Sequence, residues 1–148
     1  MSKYFIIAGE SSADLHASHL MKEIKKIDSA ASFDGLGGKL MEKEGLSSLI
    51  DINKMAVMGF WEVFKNLRFL KSVETLVLNH LKKQQFEAII LIDYPGFNLR
   101  IAKKAKAINR SIPIFYYIGP QVWAWKENRV EDIKKNVDKM LVIFEFEN

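Results

Sequence analysis

Three short segments of the chain carry side chains that could perform chemistry, and each follows a predicted strand. Together they supply carboxylates, hydroxyls, an amide and two indoles, on Glu10, Ser11, Ser12, Asp14, Asp93, Asn98, Trp123 and Trp125. A carboxylate held at a crevice can remove a proton from a bound hydroxyl group, and indole rings offer flat faces to a ring-shaped ligand. These residue types therefore indicate general-base chemistry as one interpretation of the segments.

Asp93 is the candidate general base because it ends the most hydrophobic run of the chain, residues 88–92. A rigid strand would hold its carboxylate at the edge of a sheet. The alternative is structural: Asp93 organises the turn at Pro95 and Gly96, and Asn98 caps the next helix. Position alone favours that structural alternative.

The other two segments also have structural alternatives. Ser11 and Asp14 have the spacing of a capping box, so they either cap a helix or, with the free amides of the helix start, attract an anion. Glu10 would then face the crevice. Trp123 and Trp125 stand in a Gly-Pro loop, where they either pack beneath the loop or face a ligand, and packing is the commoner outcome.

The elements that must position these segments alternate between strands and helices. Apolar or β-rich runs predict strands at 3–9, 32–35, 87–93, 112–118 and 140–144. Apolar residues at helical spacing predict helices that begin near 11 (Leu15, His19, Leu20, Ile24, Ile27) and near 37, and that cover 60–83, 99–109 and 129–136. This alternation predicts an α/β, Rossmann-like, mostly parallel sheet with helices on both faces. Ligands of such sheets bind outside the carboxyl ends of the strands, where the three segments lie.

Composition limits the classes of function. The chain of 148 residues is long enough for one domain, and its lack of cysteine excludes disulfides and thiolate sites. The net charge of +4 favours anionic partners. No apolar run approaches the roughly 20 residues needed to cross a bilayer, so we expect a soluble or peripheral cytoplasmic protein. His16 and His19 lack further metal ligands, and residues 35–40 lack the third glycine of a dinucleotide fingerprint.

The predicted helix 60–83 has more large apolar side chains than one buried stripe requires. They form two arcs on a helical wheel, one of Phe60, Trp61, Val63, Phe64 and Leu67 and one of Phe69, Val73, Leu76 and Val77. The same segment carries five lysine or arginine residues and only two carboxylates. This combination suits a helix that lies on an anionic membrane. A packed core helix with a solvated basic face is the alternative.

Five blocks of sequence resemble, in the same order, the N-terminal half of the lipid-A-disaccharide synthase family. The blocks are Gly9 to Asp14, Gly35 to Gly38, Ala56 to Gly59, Ile92-Asp93 with Phe97-Asn98-Leu99, and Val122 to Trp125. Each block alone is weakly specific, but five in register, including the unusual Trp-Ala-Trp, are specific. The match covers nearly the whole chain.

The resemblance implies one half of a two-domain GT-B architecture and a step in lipid A assembly. Members of the family transfer a diacylated glucosamine from UDP to the 6-hydroxyl of a diacylated glucosamine 1-phosphate, with inversion and release of UDP. Matching positions imply that Asp93 is the general base, and they imply acceptor-binding residues at Glu10, Ser11, Ser12, Asp14, Asn98, Trp123 and Trp125. They also imply a membrane-docking patch of Met58, Phe60, Trp61, Val63, Phe64, Leu67 and Leu70. The expected location is the cytoplasmic face of the inner membrane of a Gram-negative bacterium, with no metal, cofactor or nucleic acid.

The chain departs from the family pattern at three residues and in length. Ala13 stands where glycine is usual, Gly96 replaces the second acidic residue of an Asp-x-Pro-Asp motif, and Glu145 replaces a common proline. We expect residues 1–148 to be the acceptor- and membrane-binding domain, without the C-terminal domain that binds the UDP-sugar. Such a chain would be catalytically incomplete. The alternatives are a non-catalytic module that binds membranes or glycolipids, and a flavodoxin-like nucleotide binder, which the missing phosphate loop disfavours.

Overall fold

The computed structural model describes residues 2–9, 11–50, 67–118 and 127–142. The strands in these residues are β1 (Lys3–Ala8), β2 (Ser32–Leu36), β3 (Leu46–Ser48), β4 (Ala88–Ile92), β5 (Ile114–Ile118) and β6 (Lys139–Val142). The helices are α1 (Ser11–Ile27), α2 (Lys39–Lys43), α3 (Leu67–Lys83), α4 (Pro95–Ile108) and α5 (Glu127–Asn136). The predicted alternation of strands and helices is confirmed.

All six strands form one sheet in the order β3-β2-β1-β4-β5-β6, and every neighbouring pair is parallel. The chain builds outward from β1 to β2 and β3, and then returns to place β4 on the other side of β1. Strand order therefore reverses between β1 and β4, which is the position where doubly wound sheets open a crevice at their carboxyl edge. The Rossmann-like α/β class is confirmed, and the sheet is consistent with one half of a GT-B architecture.

Helices cover both faces of the sheet, and β4 shows this most clearly. All five residues of β4 are buried. Ile89 and Leu91 belong to the apolar cluster that includes α3 and α4, whereas Ile90 and Ile92 belong to the cluster that includes α1 and α2. A strand buried on both faces must be apolar throughout, which explains the continuous run that predicted it.

The core face of α1 differs from the apolar pattern that predicted the helix. Leu15 is 43% exposed and Ile27 is 91% exposed, although both contribute to that pattern. The fully buried side chains are those of Ala13, Ala17 and Met21. Two of these are alanines, so the helix packs small side chains as well as Met21 against the sheet and turns Leu15 and Ile27 outward.

The structure adds one strand to the predicted elements and corrects the start of one helix. Strand β3 was not predicted, because Leu46–Ser48 offers three residues and only one apolar side chain. Helix α4 begins at Pro95 rather than at Leu99, since proline has no N–H to lose in the first turn and its fixed φ suits a helix start. Among the helices that the structure describes, none combines the length and apolar content that crossing a bilayer requires.

Candidate active site

The strand order brings two of the three predicted segments together. Ala8 at the end of β1 pairs in register with Ile92 at the end of β4, so Gly9 and Asp93 leave the sheet side by side. Gly9 lies against the ring of Tyr94: a Cβ atom added to Gly9 would stand 2.9 Å from Tyr94 Cδ1. Glycine at this position therefore allows the two strand ends to approach each other closely.

The turn after β4 is conformationally strained. Asp93 has φ 49° and Tyr94 has φ 48°, so two consecutive residues other than glycine occupy the left-handed region. Each such residue costs about 1–3 kcal/mol and persists only where surrounding contacts determine it. Asp tolerates this conformation better than Tyr does, because bulky residues are rare there. Strain of this kind at the carboxyl edge of a sheet supports a functional role for the turn.

Hydrogen bonds with three residues hold this turn in place. The N–H of Asp93 donates to the carbonyl oxygen of Tyr117 at 2.8 Å. The carbonyl oxygen of Asp93 accepts from Asn98 Nδ2 at 2.7 Å and from the hydroxyl of Tyr116 at 2.8 Å. Asn98 Nδ2 also donates to the carbonyl oxygen of Ile92 at 3.3 Å. The backbone of Asp93 is thus fixed at both polar atoms, while its side chain is partly exposed.

Asn98 serves the turn rather than the start of the helix. It is wholly buried inside α4, whose N-cap residue is Tyr94. The proposed capping of that helix by Asn98 is therefore wrong, because its amide reaches back to the strand end instead. Its Oδ1 finds no hydrogen-bond partner among the described residues, which costs about 1–3 kcal/mol. Its predicted contact with an acceptor stays a prediction.

The carboxylate of Asp14 caps a different helix from its own. Asp14 is 5% exposed, and its two oxygens accept hydrogen bonds from the backbone N–H groups of Gly38 at 2.8 Å, Leu40 at 3.2 Å and Met41 at 3.2 Å. These amides belong to the start of α2, where a carboxylate also complements the helix dipole. Asp14 therefore joins α1 to α2. That it binds an acceptor stays a prediction.

Ser11 and Ser12 are the first two residues of α1, and both are exposed at the carboxyl edge of the sheet. Their position suits the predicted role in binding a polar ligand. The remaining predicted residues of this kind lie outside the described residues: Glu10, Trp123 and Trp125. The same holds for the predicted membrane-docking residues Met58, Phe60, Trp61, Val63 and Phe64. Leu67 begins α3, and Leu70 is partly buried against the core.

A pocket of about 470 Å³ opens beside the turn, between α3 and α4. Seven described residues line it: Leu70, Lys71, Glu74, Tyr94, Gly96, Phe97 and Arg100. Glu74 is only 5% exposed and pairs with two cations of α4, Arg100 (Nη2 to Oε2, 3.0 Å) and Lys104. Sequence reasoning placed Glu74 only on a basic helix surface. The available signal was its position between Val73 and Val77 on the face that is buried.

The sequence of this chain matches one family model and several curated proteins. The family model described as Lipid-A-disaccharide synthetase matches residues 4–148. A lipid-A-disaccharide synthase of Nitrosococcus oceani is 42% identical over 96% of this chain and 36% of its own length. One from Coxiella burnetii is 39% identical over 96% of this chain and 37% of its own length. Lipid-A-disaccharide synthase 1 of Legionella pneumophila is 42% identical over 99% of this chain and 38% of its own length.

The chain spans a little over a third of the length of these curated relatives. The match to the family model runs from residue 4 to residue 148, a range that includes the strand ends and the turn described above. The chain therefore belongs to the lipid-A-disaccharide synthase family.

Proposed function

We propose that this chain is the acceptor-side part of an inverting glycosyltransferase of lipid A assembly. The reaction would transfer diacylglucosamine from its UDP carrier to the 6-hydroxyl of diacylglucosamine 1-phosphate and release UDP. Residues 1–148 would bind the acceptor and the anionic surface of the inner membrane. A C-terminal domain beyond this chain would bind the UDP-sugar.

Asp93 is the general base in this proposal. Its carboxylate takes the proton of the acceptor 6-hydroxyl while that oxygen attacks the anomeric carbon of the donor sugar. The bond between the anomeric carbon and the phosphate oxygen breaks on the opposite face, and UDP leaves with the electron pair. A single displacement of this kind inverts the anomeric configuration. The negative charge that develops on UDP needs donors that this proposal assigns to the C-terminal domain.

The observation that carries the proposal is the fixed position of Asp93. Its side chain is partly exposed at the switch point of the sheet, and its backbone is held by Tyr117, Asn98 and Tyr116 in a strained turn. Preorganisation of this sort is what a general base requires, because catalysis depends on its distance from the proton it removes.

The test is substitution of Asp93 in a protein that carries this chain together with the C-terminal part of its relatives. Asp93→Asn keeps the size of the side chain and removes the base, so disaccharide formation should fall by about 10²–10⁴-fold. Asp28→Asn, at the end of α1 and far from the turn in sequence, is the matched control and should leave the rate unchanged. Full activity of Asp93→Asn would remove Asp93 as the base.

A second candidate is a module that binds a glycolipid without catalysis. The observation in its favour is that described residues of this chain line a pocket between α3 and α4. The isolated chain distinguishes the two functions. Turnover of UDP-diacylglucosamine by residues 1–148 would contradict the proposed need for a second domain. If the chain binds the acceptor but shows no turnover even when it is joined to the C-terminal part of its relatives, the binding module is favoured.

Membrane attachment is a separate part of the proposal. We expect serine at Trp61, Val63 and Phe64 to release the protein from anionic vesicles without unfolding it, because these side chains are assigned to the docking patch. Circular dichroism of the triple variant provides the control. Loss of the folded spectrum would place the three side chains in the core instead.

A further inference from the structure

The pocket between α3 and α4 combines an apolar wall with a cationic rim. Its volume of about 470 Å³ is within the range of sites for small molecules. Leu70, Tyr94 and Phe97 supply the wall, and the two aromatic rings lie 6.1 Å apart at an angle of 37°. Lys71 and Arg100 line the same pocket, and both are exposed. The lining thus suits a ligand with an apolar body and an anionic group.

The buried carboxylate of Glu74 positions the arginine of this rim. One nitrogen of the Arg100 guanidinium, Nη2, lies 3.0 Å from Glu74 Oε2, and the Arg100 side chain is 59% exposed. A guanidinium has five N–H donors in a rigid fork, so one contact with Glu74 leaves donors for an oxyanion. Lys104 takes the other oxygen of Glu74. Among the described residues that line the pocket, Lys71 and Arg100 are cations and Glu74 is the one carboxylate, so with Lys104 the surplus charge of this group is positive.

The pocket adjoins the turn that carries the proposed base. Tyr94 lines the pocket and follows Asp93 directly in the chain, and Gly96 and Phe97 continue the lining into the first turn of α4. A ligand in the pocket would therefore lie next to the Asp93 turn. Its anionic group would be at Lys71 and Arg100, and a hydroxyl on the same ligand could approach Asp93.

We propose that this pocket binds the phosphate of a phosphorylated, acylated sugar, with Arg100 and Lys71 on the phosphate and Tyr94 and Phe97 against the apolar body. The inference rests on the proposed function and deepens it, because it assigns to named residues the recognition of the acceptor as a phosphomonoester. Charge complementarity favours a phosphate, since arginine binds its oxygens in a bidentate manner. The apolar wall favours an amphiphile over a free ion.

Binding of decyl phosphate to the purified chain, measured by titration calorimetry below the concentration at which the probe aggregates, tests the proposal. Decyl glucoside lacks the phosphate and inorganic phosphate lacks the alkyl group, so each should bind at least about tenfold more weakly than decyl phosphate. Equal affinity for all three probes would overturn the proposal.

Two substitutions test the assignment to this pocket. Arg100→Gln should weaken decyl phosphate binding by about tenfold or more through loss of charge-assisted hydrogen bonds. Lys103→Gln removes an exposed cation of α4 that is not among the residues lining the pocket, so it is the matched control. An equal loss in both variants would show attraction by net charge alone and would contradict the proposal.

Lys71→Gln provides a second variant that should not unfold the protein. Lys71 is an exposed residue of α3 that lines the pocket, and exposed substitutions usually change stability by no more than about 0.5 kcal/mol. Loss of its charge should weaken decyl phosphate binding by about tenfold, while the melting temperature is kept. Unchanged binding in Lys71→Gln would contradict the location.

Two further measurements distinguish a lipid headgroup from the acceptor phosphate, and the pocket assignment from the assignment of Asp93 as the base. If Arg100→Gln and Lys71→Gln weaken binding to phosphatidylglycerol vesicles as much as binding to decyl phosphate, the pocket recognises lipid headgroups and the assignment to the acceptor fails. Asp93→Asn should leave decyl phosphate binding intact while it reduces transfer by the factor expected above. Failure of phosphate binding would therefore refute the pocket assignment without refuting Asp93 as the base. Full activity of Asp93→Asn would refute the base without refuting the pocket assignment.

Discussion

The hydroxyl of Tyr116 donates a hydrogen bond of 2.8 Å to the carbonyl oxygen of Asp93, joining the wholly buried ring of Tyr116 in β5 to the turn that follows the neighbouring strand β4. The ring stands on the sheet face that α3 and α4 cover. Asn98 reaches the same carbonyl oxygen from α4. The backbone orientation of Asp93 thus depends on two buried donors.

Removal of the Tyr116 hydroxyl should reduce the rate of transfer more than the affinity for the acceptor. In Tyr116→Phe the Asp93 carbonyl keeps its bond from Asn98, so we expect a stability loss of about 0.5–1.5 kcal/mol. The kcat should fall by roughly tenfold with KM little changed, because a shift of the base affects proton removal. Steady-state kinetics and urea denaturation measure the two effects.

Tyr117→Phe is the control for this prediction, since Tyr117 packs on the opposite face of the sheet. It should leave kcat unchanged. A Tyr116→Phe enzyme with wild-type kcat would show that the hydroxyl contributes only to folding.

Alanine at Gly9 should disturb the turn through the ring of Tyr94. The added Cβ would lie 2.9 Å from Cδ1 and 3.0 Å from Cγ of Tyr94, so the ring must move. We expect a stability loss of about 1–3 kcal/mol from overpacking and a decreased kcat. Thermal unfolding and activity assays check both.

Gly96→Ala is the matched substitution in open space. A Cβ there meets no described atom within 4 Å, and alanine favours a helix over glycine by about 1 kcal/mol. This variant should be at least as stable as the wild type. Equal destabilisation of Gly9→Ala and Gly96→Ala would contradict the contact between Gly9 and Tyr94.

Loss of the Asp14 carboxylate should destabilise the protein through α2. Asp14→Ala leaves the N–H groups of Gly38, Leu40 and Met41 without their acceptor, and loss of a cap costs about 0.5–2 kcal/mol. Urea denaturation measures the loss. Ser12→Ala, an exposed change in the same helix, should stay within about 0.5 kcal/mol of the wild type, and a loss as large as that of Asp14→Ala would contradict the capping role.

The ion pair of Lys106 and Asp138 should make stability depend on pH in the acid range. Burial raises the pKa of Asp138, but hydrogen bonds from the Lys106 ammonium and the Ile114 N–H outweigh it and hold that pKa below its ordinary value. A depressed pKa in the folded state means that stability is fully present above the unfolded pKa, about 3.9, and is lost as pH falls through the folded value.

Urea denaturation between pH 7 and pH 3 checks this dependence. The free energy of unfolding should fall below about pH 4, and Asp138→Asn should flatten that part of the curve. Glu87→Gln, at an exposed carboxylate, should leave the curve unchanged. The same slope in wild type and Asp138→Asn would show that other carboxylates govern the acid transition.

The sequence predicted the strands that local composition determines and missed features that depend on packing. The run 88–92 predicted a central strand because both of its faces are apolar, and the structure confirms it. Leu15 and Ile27 contributed to the apolar pattern of α1 yet lie outside, since Ala13 and Ala17 allow a closer approach to the sheet. Periodicity identifies a helix but does not identify which small residues face the core.

In the site, too, the sequence predicted what local residues determine and missed what depends on tertiary contacts. Asp93 was recognisable from its position after the strand, whereas the left-handed conformation of Asp93 and Tyr94 was not. Tyrosine disfavours that region, and here it depends on Gly9, Asn98 and Tyr116, which are distant in sequence. The pairing of Glu74 with Arg100 was equally hidden, because it joins two helices that only the tertiary fold brings together.

The central place of β1 in the strand order has a kinetic consequence. Gly9 and Tyr94 meet only because β4 inserts beside β1 after the chain has completed β2, β3 and α3 on its way. Contacts between residues more than half the chain apart form slowly, since a long loop must close before they can stabilise anything. During refolding, the local helices should therefore appear early, while the environment of the Tyr94 ring should become native only when the sheet closes at its centre.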